Sequence, residues 1–179
     1  KFKDKLLKLF VSETLIFQGF VLKALDKIAK ENNLKVCVAL ASNRLEKKEN
    51  VSSLNEKKFL YENISKFHTE SLTSYQLAEK SKIVITFMST LGKELLAKKH
   101  KVMFVLYSKF RSINKKHLPN GTGKYWYKGK DINLLKKKIM HLIKLNEKKW
   151  ILYLKRHHIG YEYDQGNTKL KKLIKNLLN

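Results

Sequence analysis

The chain has 179 residues, of which 43% are hydrophobic, enough for one domain with a core of its own. Its single cysteine excludes a disulfide within the chain, and no apolar run reaches the roughly 18 residues of a membrane-spanning helix. A formal charge of +24 keeps nucleic-acid binding among the alternatives.

The basic residues are almost all lysines. The exceptions are Arg44, Arg111 and Arg156, and the lysines are scattered along predicted helices. Nucleic-acid readers rely on arginine for bidentate contacts and on exposed aromatics for stacking, and neither pattern is evident. We therefore expect nucleic acid not to be the main partner, whereas a basic surface suits polyanionic ligands and peripheral contact with an anionic membrane.

The chain is predicted to open with helix and strand. A basic lead-in, residues 1–10, precedes a helix predicted to begin at Ser12-Glu13 and to end at Asn32-Asn33. Residues 34–40 form an apolar run that predicts the first strand. Cys37 in this run is expected to be a buried, inert thiol, and the lack of a disulfide partner favours a reducing compartment.

Polar residues follow this first strand. In a parallel sheet, Ser42, Asn43 and Arg44 would reach its carboxyl edge, where they could bind a base, a sugar or a phosphate. An ordinary polar loop explains them equally well.

The next segment is predicted to be mainly helical. Residues 45–56 read as a loop, a helix follows from about Glu56 to Lys66, residues 67–69 suggest a short strand, and a capped helix spans Ser71 to Lys80. Ser74 and Tyr75 lie near the start of the last helix. Tyr75 is either a base-stacking or a packing aromatic.

A strand, a tight turn and a helix form the centre of the pattern. Residues 83–87 are apolar or β-branched, as in a parallel strand buried on both faces. Ser89-Thr90 then predict a helix start, with Leu91, Leu95 and Leu96 on one side of the helix. In open α/β sheets ligands bind at such junctions, where the helix N-terminus attracts anions.

This junction supplies the main candidate site. Ser89 and Thr90 offer hydroxyl donors, Gly92 would let a phosphate come close, and Glu94 could accept hydrogen bonds from ribose hydroxyls. The alternative is an ordinary capped strand–helix unit, with Glu94 near the positive end of the helix dipole.

The rest of the chain continues the α/β pattern. Residues 102–106 predict a second strand, 107–123 an irregular segment and 124–128 a short strand. Helices are predicted from Asp131 to about Leu145, from Asn146 through Leu154 and, after a break near Gly160, from Asn167 to Leu178.

A resemblance rests on these residues. Ser-Thr-Leu-Gly-x-Glu-x-Leu-Ala, residues 89–97 between two strands, resembles the donor-binding half of GT-B-type glycosyltransferases. It is most similar to bacterial surface-carbohydrate or O-antigen biosynthesis proteins and more distantly to UDP-N-acetylglucosamine 2-epimerase. Further matches are Ala41-Ser42-Asn43-Arg44, Ser74-Tyr75 and Tyr163-Asp164-Gln165-Gly166-Asn167.

The resemblance implies a Rossmann-like parallel sheet with helices on both faces, one half of a GT-B fold. It implies a nucleotide-sugar donor at the phosphate- and ribose-binding positions Ser89, Thr90, Leu91, Gly92, Glu94, Ser42, Asn43, Arg44, Ser74 and Tyr75. The acceptor would be a saccharide or a lipid-linked saccharide. An epimerase and a nucleic-acid-binding domain remain the alternatives.

The resemblance departs from a complete transferase at the front, where an acceptor-binding half is expected. The chain does not begin with Met, so residues 1–179 are expected to be one domain at the C-terminal end of a longer, two-domain protein. Residues 146–179 would cross back to the other half, which would also supply the catalytic base. The expected location is cytoplasmic, at most peripheral to the inner membrane face, and no metal or cofactor is expected from the scattered histidines.

Overall fold

The computed structural model describes residues 2–39, 51–66, 72–87, 89–106, 125–156 and 168–178. The helices in this part are α1 Phe2–Glu31, α2 Val51–Asn63, α3 Ser74–Lys80, α4 Thr90–Ala97, α5 Ile132–Lys144, α6 Glu147–Arg156 and α7 Thr168–Leu178. The strands are β1 Val84–Thr86, β2 Val102–Leu106 and β3 Trp126–Lys128.

The three strands form one parallel sheet in the order β1-β2-β3. Every residue of β2 is buried. Because successive side chains of a strand point to opposite faces, both faces of the sheet are covered at β2. This arrangement confirms the predicted α/β, Rossmann-like fold.

Strand β1 differs from its prediction in one respect. It is parallel, but it lies at the edge of the sheet formed by the described residues, and Val84 and Ile85 are only half-buried. The expectation that this strand is buried on both faces is met only in part: Thr86 is buried, whereas Val84 and Ile85 pack against the core but keep part of their surface exposed.

Helix α1 is longer than predicted. It runs without interruption from Phe2, so Ser12-Glu13 lie inside a helix and do not begin one. The predicted end is confirmed. Asn33 has a left-handed φ of 50°, and the Leu34 N–H donates to the Ala29 carbonyl (2.9 Å), which closes the last turn.

The predicted first strand is absent from residues 34–39, where Cys37 alone forms an isolated bridge. Val36 and Val38 pack against Leu60 and Ile64 of the segment around α2, outside the sheet. Cys37 is exposed, so the prediction of a buried thiol is wrong. Residues 34–39 alternate between half-buried and exposed. One side of the segment faces α2, and the other side, which carries Cys37, faces solvent.

Two helix starts are also corrected. Helix α2 begins at Val51, within the segment predicted to be a loop. Helix α3 is capped by Thr73 instead of Ser71, in a capping box with Gln76. The predictions for residues 67–69, for 107–123 and for a break near Gly160 lie outside the described residues.

Helices α1, α5 and α6 share the core with the sheet. Buried members include Phe17, Val21, Leu135, Leu142 and Trp150. The Trp150 indole N–H donates to the carbonyls of Lys99 (2.9 Å) and His100 (3.1 Å), which precede β2. Helix α6 is therefore fixed at the amino edge of the sheet, opposite the carboxyl end of β1 at which α4 begins.

Candidate functional site

The predicted site lies where β1 is followed by α4. Ser89 is the N-cap of α4, as predicted, and its Oγ accepts the backbone N–H of Leu91 (3.1 Å). Its own N–H donates to Thr86 Oγ1 (3.3 Å). Ser89 and Thr90 are both exposed, so their hydroxyls are accessible at the carboxyl end of β1.

Two backbone N–H groups in the first turn of α4 already donate hydrogen bonds to Ser89. Besides the Leu91 N–H, the Gly92 N–H donates to the Ser89 carbonyl (3.1 Å). An anion at this helix end would therefore have to displace Ser89 Oγ from Leu91 to gain that amide. The positive end of the helix dipole still favours the exchange.

Gly92 has a packing role that the sequence did not indicate. It is buried, and a Cβ added to it would lie 2.6 Å from Thr86 Cγ2 and 2.9 Å from Phe104 Cε1. Helix α4 therefore approaches the sheet so closely that only glycine fits. The proposed approach of a phosphate to Gly92 stays a prediction.

Glu94 lies one turn after Thr90, on the same solvent-facing side of α4. The Tyr75 hydroxyl, from the start of α3, donates to the Glu94 carboxylate. Lys98 Nζ, a further turn along, lies 5.1 Å from the centroid of the Tyr75 ring. The structure thus brings together two residues predicted from separate motifs.

The other predicted residues have varied positions. Leu91 is half-buried and packs against the core, and Ser74 is a half-buried first residue of α3. Ser42, Asn43, Arg44 and residues 163–167 lie outside the described residues. Two neighbours were missed, Thr86 and Lys98. The i, i+4, i+8 spacing of Thr90, Glu94 and Lys98 is the signal that would have indicated Lys98.

A separate open groove of about 400 Å³ lies at the end of α1. Its lining includes Asp26, Lys30, Lys35 and Lys66, and none of the predicted site residues. The Asp26 carboxylate accepts hydrogen bonds from Ser65 Oγ (2.9 Å) and is paired with Lys30 (2.9 Å). Burial raises the pKa of Asp26, but these contacts outweigh it and leave the pKa below its ordinary 3.8. The Asp26 carboxylate and the Lys30 ammonium group neutralise each other, so we assign this pair a structural role.

Two absences hold for the described residues only. No group of three or more His, Cys, Asp or Glu side chains is placed to hold a metal ion in that part of the chain. Within the same ranges, no helix has both the length and the apolar character needed to cross a bilayer.

Comparison with known proteins bears on the resemblance. The sequence model of a family described as "putative O-antigen biosynthesis protein" matches residues 7–178. No curated protein and no solved structure matches the chain. The match confirms the surface-carbohydrate part of the resemblance and contains β1, α4 and the Tyr75–Glu94 contact. Since it covers almost the whole sequence, the chain belongs to this family of O-antigen biosynthesis proteins.

Proposed function

We propose that the chain holds the nucleotide-sugar donor of a glycosyltransferase that acts in surface-polysaccharide synthesis. The observation that carries the proposal is the exposed, serine-capped N-terminus of α4 at the carboxyl end of β1. This is the position at which open α/β sheets bind phosphorylated ligands. Membership of the O-antigen family makes a sugar nucleotide the fitting phosphorylated ligand.

The diphosphate would bind at Ser89 and Thr90. Both hydroxyls are exposed and can donate to phosphate oxygens, and Ser89 Oγ would release the Leu91 N–H to the same anion. Such charge-assisted bonds are stronger than the neutral cap bond they replace. Donor binding would thus exchange one cap for another without moving α4.

The ribose would bind at Glu94. The backbone of Glu94 lies about 6 Å along the helix axis from that of Thr90, a distance on the scale of one sugar unit. It can accept hydrogen bonds from both vicinal hydroxyls of a ribose. Tyr75 already donates to Glu94, so it would orient the carboxylate for this contact.

The chain would supply donor binding and not the whole reaction. We propose that the saccharide or lipid-linked acceptor and the catalytic base are held outside the rim formed by Ser89, Thr90 and Glu94. Transfer would then require a second surface that faces this rim.

Titration calorimetry tests the proposal with UDP, GDP, CDP and TDP as probes. We expect one of them to bind the chain, and the Ser89→Ala, Thr90→Ala double variant to bind it at least about tenfold more weakly, because two charge-assisted contacts are lost.

Asn146→Ala is the matched control. Asn146 Oδ1 caps α6 by accepting the Lys149 N–H (2.9 Å), so this variant also loses a helix cap, but at the amino edge of the sheet. Its nucleotide affinity should equal that of the unaltered chain. Equal affinities in all three proteins, or equal losses in both variants, would contradict the proposed site.

A further inference from the structure

We propose that α7 is a membrane-contacting helix that binds the surface of an anionic phospholipid bilayer. The proposal concerns the helix Thr168–Leu178, which is remote in the sequence from the proposed donor site and does not depend on it.

The first observation is the charge of α7. Its 11 residues contain four lysines and no acidic residue. Lys171, Lys172 and Lys175 are all exposed. The exposed side of α7 is therefore strongly basic, and each lysine near an anionic bilayer adds to the attraction.

The second observation is the apolar side of the same helix. Apolar residues recur in the sequence at positions 170, 173, 174, 177 and 178, which on a helix form one stripe opposite the lysines. The side chains of Leu173 and Ile174 are 57% and 47% exposed. The described protein therefore leaves this part of the stripe uncovered.

The two observations together select a lipid surface. A second copy of α7 would cover the apolar stripe, but it would supply no negative charge to the lysines and would bring two strongly basic helices close to each other. A nucleic acid would neutralise the lysines, but it offers no apolar layer for Leu173 and Ile174. An anionic bilayer supplies both, because a helix in its interface buries the apolar stripe below the headgroups and keeps the lysines among them.

Cosedimentation with vesicles tests the proposal. Vesicles of phosphatidylcholine with phosphatidylglycerol should bind the chain at about 150 mM salt, and vesicles of phosphatidylcholine alone should bind it far less. Changing Lys171, Lys172 and Lys175 to Gln should weaken the binding about a hundredfold, since each lysine is worth about fivefold. Leu173→Gln with Ile174→Gln should also abolish most of the binding, because the buried apolar contact is lost.

The matched control changes three exposed lysines of α6 to Gln. These are Lys148, Lys149 and Lys155. It has the same net charge as the α7 triple variant, so it should keep most of the binding if α7 is the contact. Circular dichroism verifies that every variant keeps the fold, which we expect because all the altered side chains are exposed.

Five outcomes would overturn the proposal, the first four in favour of no lipid contact through α7. These are no binding to anionic vesicles, equal losses from the α6 and α7 triple variants, full binding by the Leu173, Ile174 variant, and a dimer in sedimentation that this last variant dissociates. Tighter binding to single-stranded DNA than to vesicles would overturn it in favour of a nucleic acid.

Discussion

Glu94 is the residue on which the proposed site depends most. In the chain without ligand its carboxylate accepts a hydrogen bond from Tyr75 at the exposed surface, where one such contact adds little to stability. With a donor bound, the same carboxylate would make charge-assisted bonds to ribose hydroxyls, worth about 1.5 to 3 kcal/mol. The two roles can therefore be separated by experiment.

We predict that Glu94→Gln lowers the melting temperature by no more than a few degrees, because about 1 kcal/mol moves a domain of this size by roughly 2 to 4 °C. We expect the dissociation constant for the nucleotide that binds to rise about tenfold or more. Differential scanning calorimetry and titration calorimetry measure the two quantities. A variant that melts far lower yet binds normally would make Glu94 a structural residue.

Lys99 offers a test of backbone strain. It has a φ of 69° after the end of α4, and the His100 N–H donates to the Leu95 carbonyl (2.9 Å), which fixes this left-handed turn. A residue with a Cβ pays about 1 to 2 kcal/mol for such a conformation, and glycine does not.

Lys99→Gly should therefore raise the free energy of unfolding by roughly 0.5 to 1 kcal/mol after the greater chain entropy of glycine is subtracted. Chemical denaturation measures it. Lys98→Gly is the control. Lys98 has an ordinary φ of −74°, so glycine relieves no strain there and should destabilise the protein. Stabilisation by both substitutions would show that charge, and not the turn, is responsible.

Some residue roles could be predicted from local sequence. Ser89 and Asp131 are confirmed as N-caps, which local sequence can indicate because a capping side chain accepts from the amide two or three residues further along the chain. The roles of Gly92 and Cys37 could not be predicted, because they depend on how close a strand or helix lies across the fold.

At the scale of elements, the contact between α4 and the sheet depends on Gly92. A methyl group at this position would overlap Thr86 Cγ2 and press on Phe104. We expect Gly92→Ala to destabilise the fold by about 1 to 2 kcal/mol, because overpacking outweighs the gain in helix propensity. Thermal melting measures it.

Thr86→Ser is the compensating change for this variant. It removes the methyl group that would clash and keeps the hydroxyl that accepts the Ser89 N–H. The double variant should therefore regain part of the lost stability. If it regains none, Gly92 is required for another reason.

The contact between α1 and the segment after α2 depends on pH. Because the pKa of Asp26 is lowered in the folded state, its contacts with Lys30 and Ser65 stabilise the fold above pH 3.8 and are lost as the pH falls through the folded-state pKa. Asp26→Asn should cost on the order of 1 kcal/mol at neutral pH, and the cost should shrink as the pH falls below 3.8.

Urea denaturation between about pH 2 and pH 7 measures this difference. Glu62→Gln, which also removes one negative charge but from an exposed carboxylate of α2, is the control. A constant difference between Asp26→Asn and the unaltered chain across this range would contradict the prediction.

The elements predicted best are those whose hydrophobic pattern is clear, as in β2 and β3, or is supported by a capping residue, as in α5. The start of α1 was missed because Ser12-Glu13 resemble a helix start, whereas the lysine- and leucine-rich residues before them form helix too. The prediction of a strand over residues 34–40 fails at residues 34–39 because an apolar run does not tell whether it pairs with the sheet or packs against a helix.

For the whole molecule, the formal charge of +24 makes some attraction to nucleic acid unavoidable. We predict that binding to duplex DNA is weak, indifferent to sequence and steeply lost with salt, because only counterion release drives it. Fluorescence anisotropy with two unrelated duplexes at several salt concentrations measures this. Tight binding at about 150 mM salt with a preference for one duplex would favour a nucleic-acid function.

The placement of the tryptophans gives the chain two built-in fluorescent probes. It has only Trp126 and Trp150, and both are buried, 3% and 1% exposed. Trp150 donates to two carbonyls at the amino edge, whereas Trp126 lies level with the end of β1 and its indole N–H has no hydrogen-bond partner among the described residues. Their emission should differ in wavelength, so Trp126→Phe and Trp150→Phe would let each end of the sheet be observed separately as it opens.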